Sequence, residues 1–143
     1  MRSRDSIDAP EALVLTMVLV SAADGGMTDR EIGVMSGQVQ TLPIFFDFTT
    51  DQLTEVTDAA VGLLREPNGL DHAAQLIREA LTPNLRETAY ALACEVVAGD
   101  RGMKESSLRM LEFVRDELEL DPLVWAAIER AVRARHQRSH PPG

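Results

Sequence analysis

The chain has 143 residues, a formal net charge of −9 and an apolar fraction of 45%. This length and apolar content allow one folded domain with a sizeable core, and they exclude an intrinsically disordered chain. Aromatic residues make up 4% of the chain, so the core must be aliphatic, a composition that favours helices.

The first two predicted helices carry the clearest local signals. Asp8 can cap the first helix, and Pro10 fits its opening turn. The apolar run that follows is too short to span a bilayer, so we expect a central helix that is buried on most sides. The second helix begins at Thr28, with Glu31 completing a capping box. An apolar connector is predicted over residues 43–48.

Five further helices are predicted from capping residues, prolines and glycine-bearing turns. They are predicted to begin near Thr49 or Thr50, Leu70, Thr82, Lys104 and Asp121. No strand-like alternation of useful length occurs, so the sequence predicts an all-α fold of about seven helices. We expect a single domain over residues 1–143, with its core at about 10–134 and with frayed ends at 1–7 and 135–143.

One short pattern occurs twice, at the ends of the first and fifth predicted helices. Asp24 is followed by two glycines and a methionine, and Asp100 by arginine, glycine and methionine, 76 positions later. The same shift pairs Asp29 with Glu105. Each copy is a helix, a glycine-bearing turn and a second helix, so the sequence predicts two related helical hairpins.

The paired aspartates need an explanation, because the helix dipole disfavours negative charge at a helix C-terminus. Aspartate favours turns through bonds to nearby backbone amides, which is one explanation. The other is a divalent cation, whose identity the sequence does not fix, bound by Asp24, Asp29 and Glu31 at the first turn and by Asp100 and Glu105 at the second. Both explanations stay open on the residues alone.

Two stretches, L-V-S-A-A-D-G-G-M-T-D-R-E-I and A-C-E-V-V-A-G-D-R-G-M-K-E-S-S-L, resemble the TerB family of tellurite-resistance domains. The resemblance implies an all-helical cytoplasmic domain of about seven helices, built around two related hairpins. It also implies a role in tellurite or stress response, an acidic site proposed to chelate metal, and no established enzymatic activity. The family's acidic motifs fall on Asp24, Glu31 and Asp100. The chain departs from the pattern at Arg101 and Ser107, which weakens the second half of the site.

The charge distribution bears on partners. Residues 130–143 hold four arginines and no acid, so residues 1–129 carry 10 basic against 23 acidic groups. This acidity argues against nucleic acid and anionic lipid as partners, and it suits cations or a partner protein that the sequence does not identify. The basic end could contact an acidic partner or complement a helix dipole. The oligomeric state is left undetermined.

Enzyme motifs are missing from the sequence. Cys94 has no histidine nearby and lies in an apolar run, which indicates a core residue and agrees with a reducing compartment. No nucleophile elbow and no phosphate-binding glycine loop is present, and the acidic turns lack the spacing of an EF-hand. His136 and His140 are assigned to a loose tail. We therefore predict a non-enzymatic module, with a pure protein-interaction module and a metal-assisted hydrolase as alternatives.

Overall fold

The computed structural model of the protein describes residues 6–23, 26–99 and 105–139. Over these residues the fold is all-α and forms a single domain, as predicted, with no strand. The elements are α1 (Ala9–Ser21), α2 (Asp29–Thr41), a 3-10 turn (Pro43–Phe45), α3 (Thr50–Leu64), α4 (Gly69–Ala80), α5 (Pro83–Gly99), α6 (Glu105–Glu117) and α7 (Pro122–Arg135).

Reciprocal capping boxes begin three of the helices. At α2 the Thr28 hydroxyl accepts a bond of 3.1 Å from the Glu31 backbone N–H, and Glu31 Oε1 accepts one of 2.8 Å from the Thr28 N–H. Asp8 with Glu11 begins α1 in the same way, and Thr49 with Gln52 begins α3. These side chains satisfy backbone donors that have no partner inside the helix, which is why the helices begin where the sequence predicts.

Helix α1 lies at the centre of the domain. Every residue from Ala12 to Ser21 is buried, and α3, α4, α5 and α6 all pack against the helix. An apolar stripe on one side could not cover so many neighbours, so the continuous apolar run of α1 follows from its central position. None of the described helices is both long and apolar enough to cross a membrane.

Helix α5 is the second central element, and α1, α2, α6 and α7 pack on it. Helices α2 and α6 have equal lengths of 13 residues, and they begin at Asp29 and Glu105, the positions that the sequence repeat pairs. Their packing differs, because α2 packs more on α5 than on α1. The structure therefore confirms the two helix starts, but it does not confirm two self-contained hairpins.

The connector between α3 and α4 requires an unusual backbone conformation. Asn68 has φ 60°, a left-handed conformation, directly before α4. A Cβ atom added to Gly69 would lie 2.1 Å from the carbonyl oxygen of Leu63, so the chain can turn from α3 into α4 only with glycine at this position. In the connector between α2 and α3, Phe45 is buried, whereas Phe46 is 83% exposed.

Candidate functional site

The first acidic turn joins α1 to α2. Asp24, a predicted metal ligand, lies outside the described residues. Asp29 is the first residue of α2 and is exposed. Glu31 is 3% exposed, and its carboxylate closes the capping box with Thr28. The structure thus gives Glu31 a definite role in ending the turn, and that role fixes one of its oxygens.

The second acidic turn joins α5 to α6. Asp100 lies outside the described residues, as does Arg101. Glu105, the first residue of α6, is exposed and accepts a hydrogen bond of 2.7 Å from Arg109 one helical turn later. Such exposed pairs contribute little to stability, so this contact leaves the Glu105 carboxylate available for exchange with other partners.

The helix ends that precede the two turns meet on the same part of α2. Ser21, the last residue of α1, lies with its hydroxyl 3.9 Å from the sulfur of Met35. A Cβ atom added to Gly99, the last residue of α5, would lie 2.7 Å from Cγ2 of Val34. Adjacent residues of α2 therefore contact both helix ends, which lie on one side of the molecule.

The predicted ligands do not form a metal centre within the part of the chain that the structure describes. No group of three or more histidine, cysteine, aspartate or glutamate residues is close enough there to hold a cation. Asp29 and Glu31 share the first turn of α2, and Glu105 begins a different helix. Asp24 and Asp100, the two aspartates of the sequence repeat, lie outside the described residues.

A groove that sequence reasoning missed lies over α5, between α6 and α7. Helices α6 and α7 both pack on α5 and make few contacts with each other, which leaves a groove of about 540 Å³. Tyr90, Cys94 and Val97 of α5 line its floor. Its side walls come from α6, about 20 residues later in the chain, and from α7, about 40 residues later. Such separations are too long for a local sequence pattern to indicate.

A polar network closes one end of the groove. The Tyr90 hydroxyl donates a hydrogen bond of 2.5 Å to Glu129 Oε2, and Arg115 Nη1 lies 3.4 Å from the same oxygen. The Arg115 guanidinium also stacks on Trp125, 3.9 Å from the ring centroid. The network joins all three helices, and it pairs the charge of Arg115 with that of Glu129.

Two groups on the floor of the groove are strongly shifted towards their neutral forms. Burial raises the pKa of the Cys94 thiol from 9.0 to about 12. Burial also raises the pKa of the Tyr90 phenol, and the hydrogen bond to Glu129 adds to this shift. A nucleophilic cysteine needs a lowered pKa, so Cys94 has the properties of a core residue, as the sequence predicts.

The carboxyl end of α7 forms a basic rim on the groove. Arg133, His136 and Arg138 line it from this side. His136 Nε2 lies 2.9 Å from Glu95 Oε2, and Arg135 Nε donates a bond of 2.7 Å to Glu95 Oε1. His136 was assigned to a loose tail, but it contacts a carboxylate 41 positions earlier, a partner that local spacing cannot indicate. His140 lies outside the described residues.

Comparison with known proteins adds no relative. No protein-family model matches the chain, no curated protein matches it, and no solved structure matches it. The resemblance to the TerB family therefore rests on the two acidic turns and their helical setting.

Proposed function

We propose that the protein is a TerB-like, non-enzymatic cytosolic module that acts by binding in a tellurite or general stress response. Its acidic turns bind a divalent cation weakly, and the bound state is recognised by a partner protein. The observation that carries this proposal is the meeting of the two helix ends, Ser21 and Gly99, on adjacent residues of α2.

The position of α2 supports a shared cation site. Its first turn carries Asp29 and Glu31, and Val34 lies about 5 Å further along the helix axis than Glu31. The chain continues from Gly99 directly into Asp100, and it reaches Asp24 three residues after Ser21. Carboxylate oxygens from both turns would suit a hard cation such as calcium, magnesium or manganese.

The double role of Glu31 explains why the proposed affinity is weak. One carboxylate oxygen of Glu31 accepts the capping bond from Thr28. A cation at this oxygen would therefore compete with the capping hydrogen bond. The second oxygen takes no part in the capping bond, but the Glu31 side chain is 3% exposed, which limits the access of a cation to it. A site with few charged oxygen ligands binds calcium weakly, as low-affinity extracellular calcium-binding modules do.

A non-enzymatic role is supported by the chemistry of the groove. Cys94 is buried with a raised pKa, so its thiol is protonated at neutral pH and is a poor nucleophile. Tyr90 is hydrogen-bonded to Glu129 and is likewise held in its neutral form. Neither group is activated in the way that covalent or general base catalysis requires.

The second candidate is a protein-interaction module without a cation. Capping alone accounts for the burial of Glu31, and the ion pair with Arg109 accounts for Glu105. In this case the acidic residues only shape turns and surface charge.

A metal titration separates the two candidates. We expect millimolar calcium, magnesium or manganese to raise the melting temperature, because a ligand bound only by the folded protein stabilises it. Asp24→Ala should abolish the shift. Glu31→Gln should reduce it while leaving the metal-free melting temperature nearly unchanged, because glutamine also completes a capping box.

The matched control is Glu11→Gln, which changes the capping-box glutamate of α1. Glu11 lies about 15 Å from Ser21 along the helix, so its neutralisation should leave the metal response intact. A melting temperature that no metal changes would refute the cation site and favour the interaction module. Equal metal responses in Glu31→Gln and the unmodified protein would remove Glu31 from the site.

A further inference from the structure

The groove over α5 has the dimensions of a small-molecule site. Its volume is about 540 Å³, and ligand pockets in proteins generally span about 300–1,000 Å³. Its lining runs from Leu108 to Arg115 on α6, a length of about 10 Å along the helix. A short amphipathic molecule would fill this space, whereas a partner helix would extend beyond both ends.

The middle of the groove is apolar, and part of this apolar surface is exposed. Val97 and Ala98 of α5, Leu108 and Leu111 of α6, and Val132 of α7 all line it. Val97 and Val132 are buried, whereas Leu108 remains 38% exposed and Ala98 and Leu111 are partly exposed, so these three form the accessible apolar surface. Covering this surface with an apolar ligand would gain free energy in proportion to the area removed from water.

The charged groups at the polar end of the groove are already paired with each other and do not attract a charged ligand. Arg115 is paired with Glu129 and stacked on Trp125, and Tyr90 donates to the same carboxylate. No buried side-chain nitrogen or oxygen of the described residues lacks a hydrogen-bond partner. The network therefore acts as a neutral end wall.

The basic rim selects the sign of the ligand charge. Arg133 and Arg138 are exposed on this rim, and His136 lies beside them, held by Glu95. Two acids line the groove, but Glu129 is paired with Arg115, so Glu112 of α6 is the acid that opposes the rim. The rim therefore has an excess of positive charge in a chain whose net charge is −9. The carbonyls that end α7 attract cations, so the arginines must supply the attraction for an anion.

We propose that this groove binds a small amphipathic organic anion, with its apolar body on Ala98, Leu108 and Leu111 and its acidic group at Arg133 and Arg138. The site is separate from the acidic turns and does not depend on a cation there. Recognition combines apolar burial with an ion pair at the rim, so neither a short polar anion nor an apolar cation should bind well.

The single tryptophan makes the site measurable. Trp125 stacks on Arg115, which lines the groove, so a ligand that shifts this arginine should change the tryptophan fluorescence. We expect sub-micellar octanoate to produce a saturable change in the tryptophan fluorescence of the protein. Acetate, which lacks the apolar body, and octyltrimethylammonium, which has the opposite charge, should each produce little change.

Two arginines of α7 provide a matched pair of variants. Arg133→Glu should weaken octanoate binding by roughly threefold to tenfold, because an attractive contact becomes repulsive. Arg130→Glu changes the net charge equally, but Arg130 is exposed and does not line the groove, so its affinity should match that of the unmodified protein. Arg138→Glu serves as a second rim variant, and melting temperatures check that each variant folds.

Three results would overturn the proposal. The first is a fluorescence response to octanoate that does not saturate. The second is equal binding of octanoate and octyltrimethylammonium, which would indicate a surface that adsorbs any apolar chain. The third is equal weakening by Arg133→Glu and Arg130→Glu, which would assign the effect to net charge and not to the rim.

Discussion

The Tyr90 hydroxyl group shows how one polar contact can hold a helix in place. Tyr90 is 1% exposed, and its hydroxyl donates to Glu129, which also accepts from Arg115. These bonds join α5, α6 and α7 at the point where α6 and α7 diverge. The position of α7, and with it the shape of the groove, therefore depends on this contact.

Replacing Tyr90 with phenylalanine should destabilise the protein by about 1–3 kcal/mol, because a hydrogen bond to a charged group is lost. Urea unfolding of the Tyr90→Phe variant measures the change in the free energy of unfolding. Glu129→Gln is the comparison, since glutamine still accepts from Tyr90 but loses the charge opposite Arg115. A Tyr90→Phe variant as stable as the unmodified protein would contradict the anchoring role.

Residue properties were predictable where they depend on local sequence. Cys94 lies in an apolar helical run, and the structure confirms that it is buried. Glu31 could be assigned to a capping box because its partner is three residues away. The contact of His136 with Glu95 was missed, because the two residues are brought together only when α7 packs on α5.

Among the elements, the junction of α3 and α4 has the strictest requirement for one residue type. A side chain at Gly69 would collide with the backbone of α3, because the nearest atom is a carbonyl oxygen that cannot rotate away. The clash comes from a close approach between two helices and does not depend on the flexibility of glycine.

Gly69→Ala should therefore destabilise the protein by about 3 kcal/mol or more, since the two helices must separate to admit the methyl group. Gly62→Ala is the matched control in α3, where an added Cβ atom meets nothing within 4 Å. That change should stabilise the protein by about 0.5–1 kcal/mol through helix propensity. Thermal unfolding of both variants tests the pair, and a harmless Gly69→Ala would show that the junction can open.

The helices themselves were predictable because their start signals are short-range. Capping residues and prolines marked the beginnings of five helices, and glycine-bearing turns marked those of α4 and α6, all to within about two residues. Whether each acidic turn joins a compact hairpin was not predictable, because α2 packs more on α5 than on its sequence neighbour α1. The divergence of α6 and α7, which creates the groove, was not predictable either, because it also depends on how helices pack on α5.

For the molecule as a whole, the change of stability at alkaline pH tests whether the titratable core residues are buried. The chain contains 13 arginines, which stay protonated, and Lys104 as its one lysine. Cys94 and Tyr90 are therefore the main groups that distinguish the folded from the unfolded protein above pH 9, because burial raises the pKa of both in the folded state.

A raised folded-state pKa stabilises the protein below the unfolded-state pKa, and this stability is lost as the pH rises. The contribution of these two groups to the free energy of unfolding should thus be constant below about pH 8 and should fall from about pH 9 towards pH 12. Urea unfolding across this range measures the slope, and Cys94→Ala should make it shallower. A free energy of unfolding that is the same at both ends of the range would show that these groups are not buried.

The central position of α1 has a consequence for synthesis on the ribosome. Helix α1 is translated before α5, against which it packs most extensively and which begins about 70 residues later. The apolar surface of α1 therefore stays uncovered until the second half of the chain has been synthesised. Contacts between segments so far apart in the sequence also form slowly. A nascent chain that has emerged only as far as α4 would be a natural client for chaperones that bind exposed aliphatic segments.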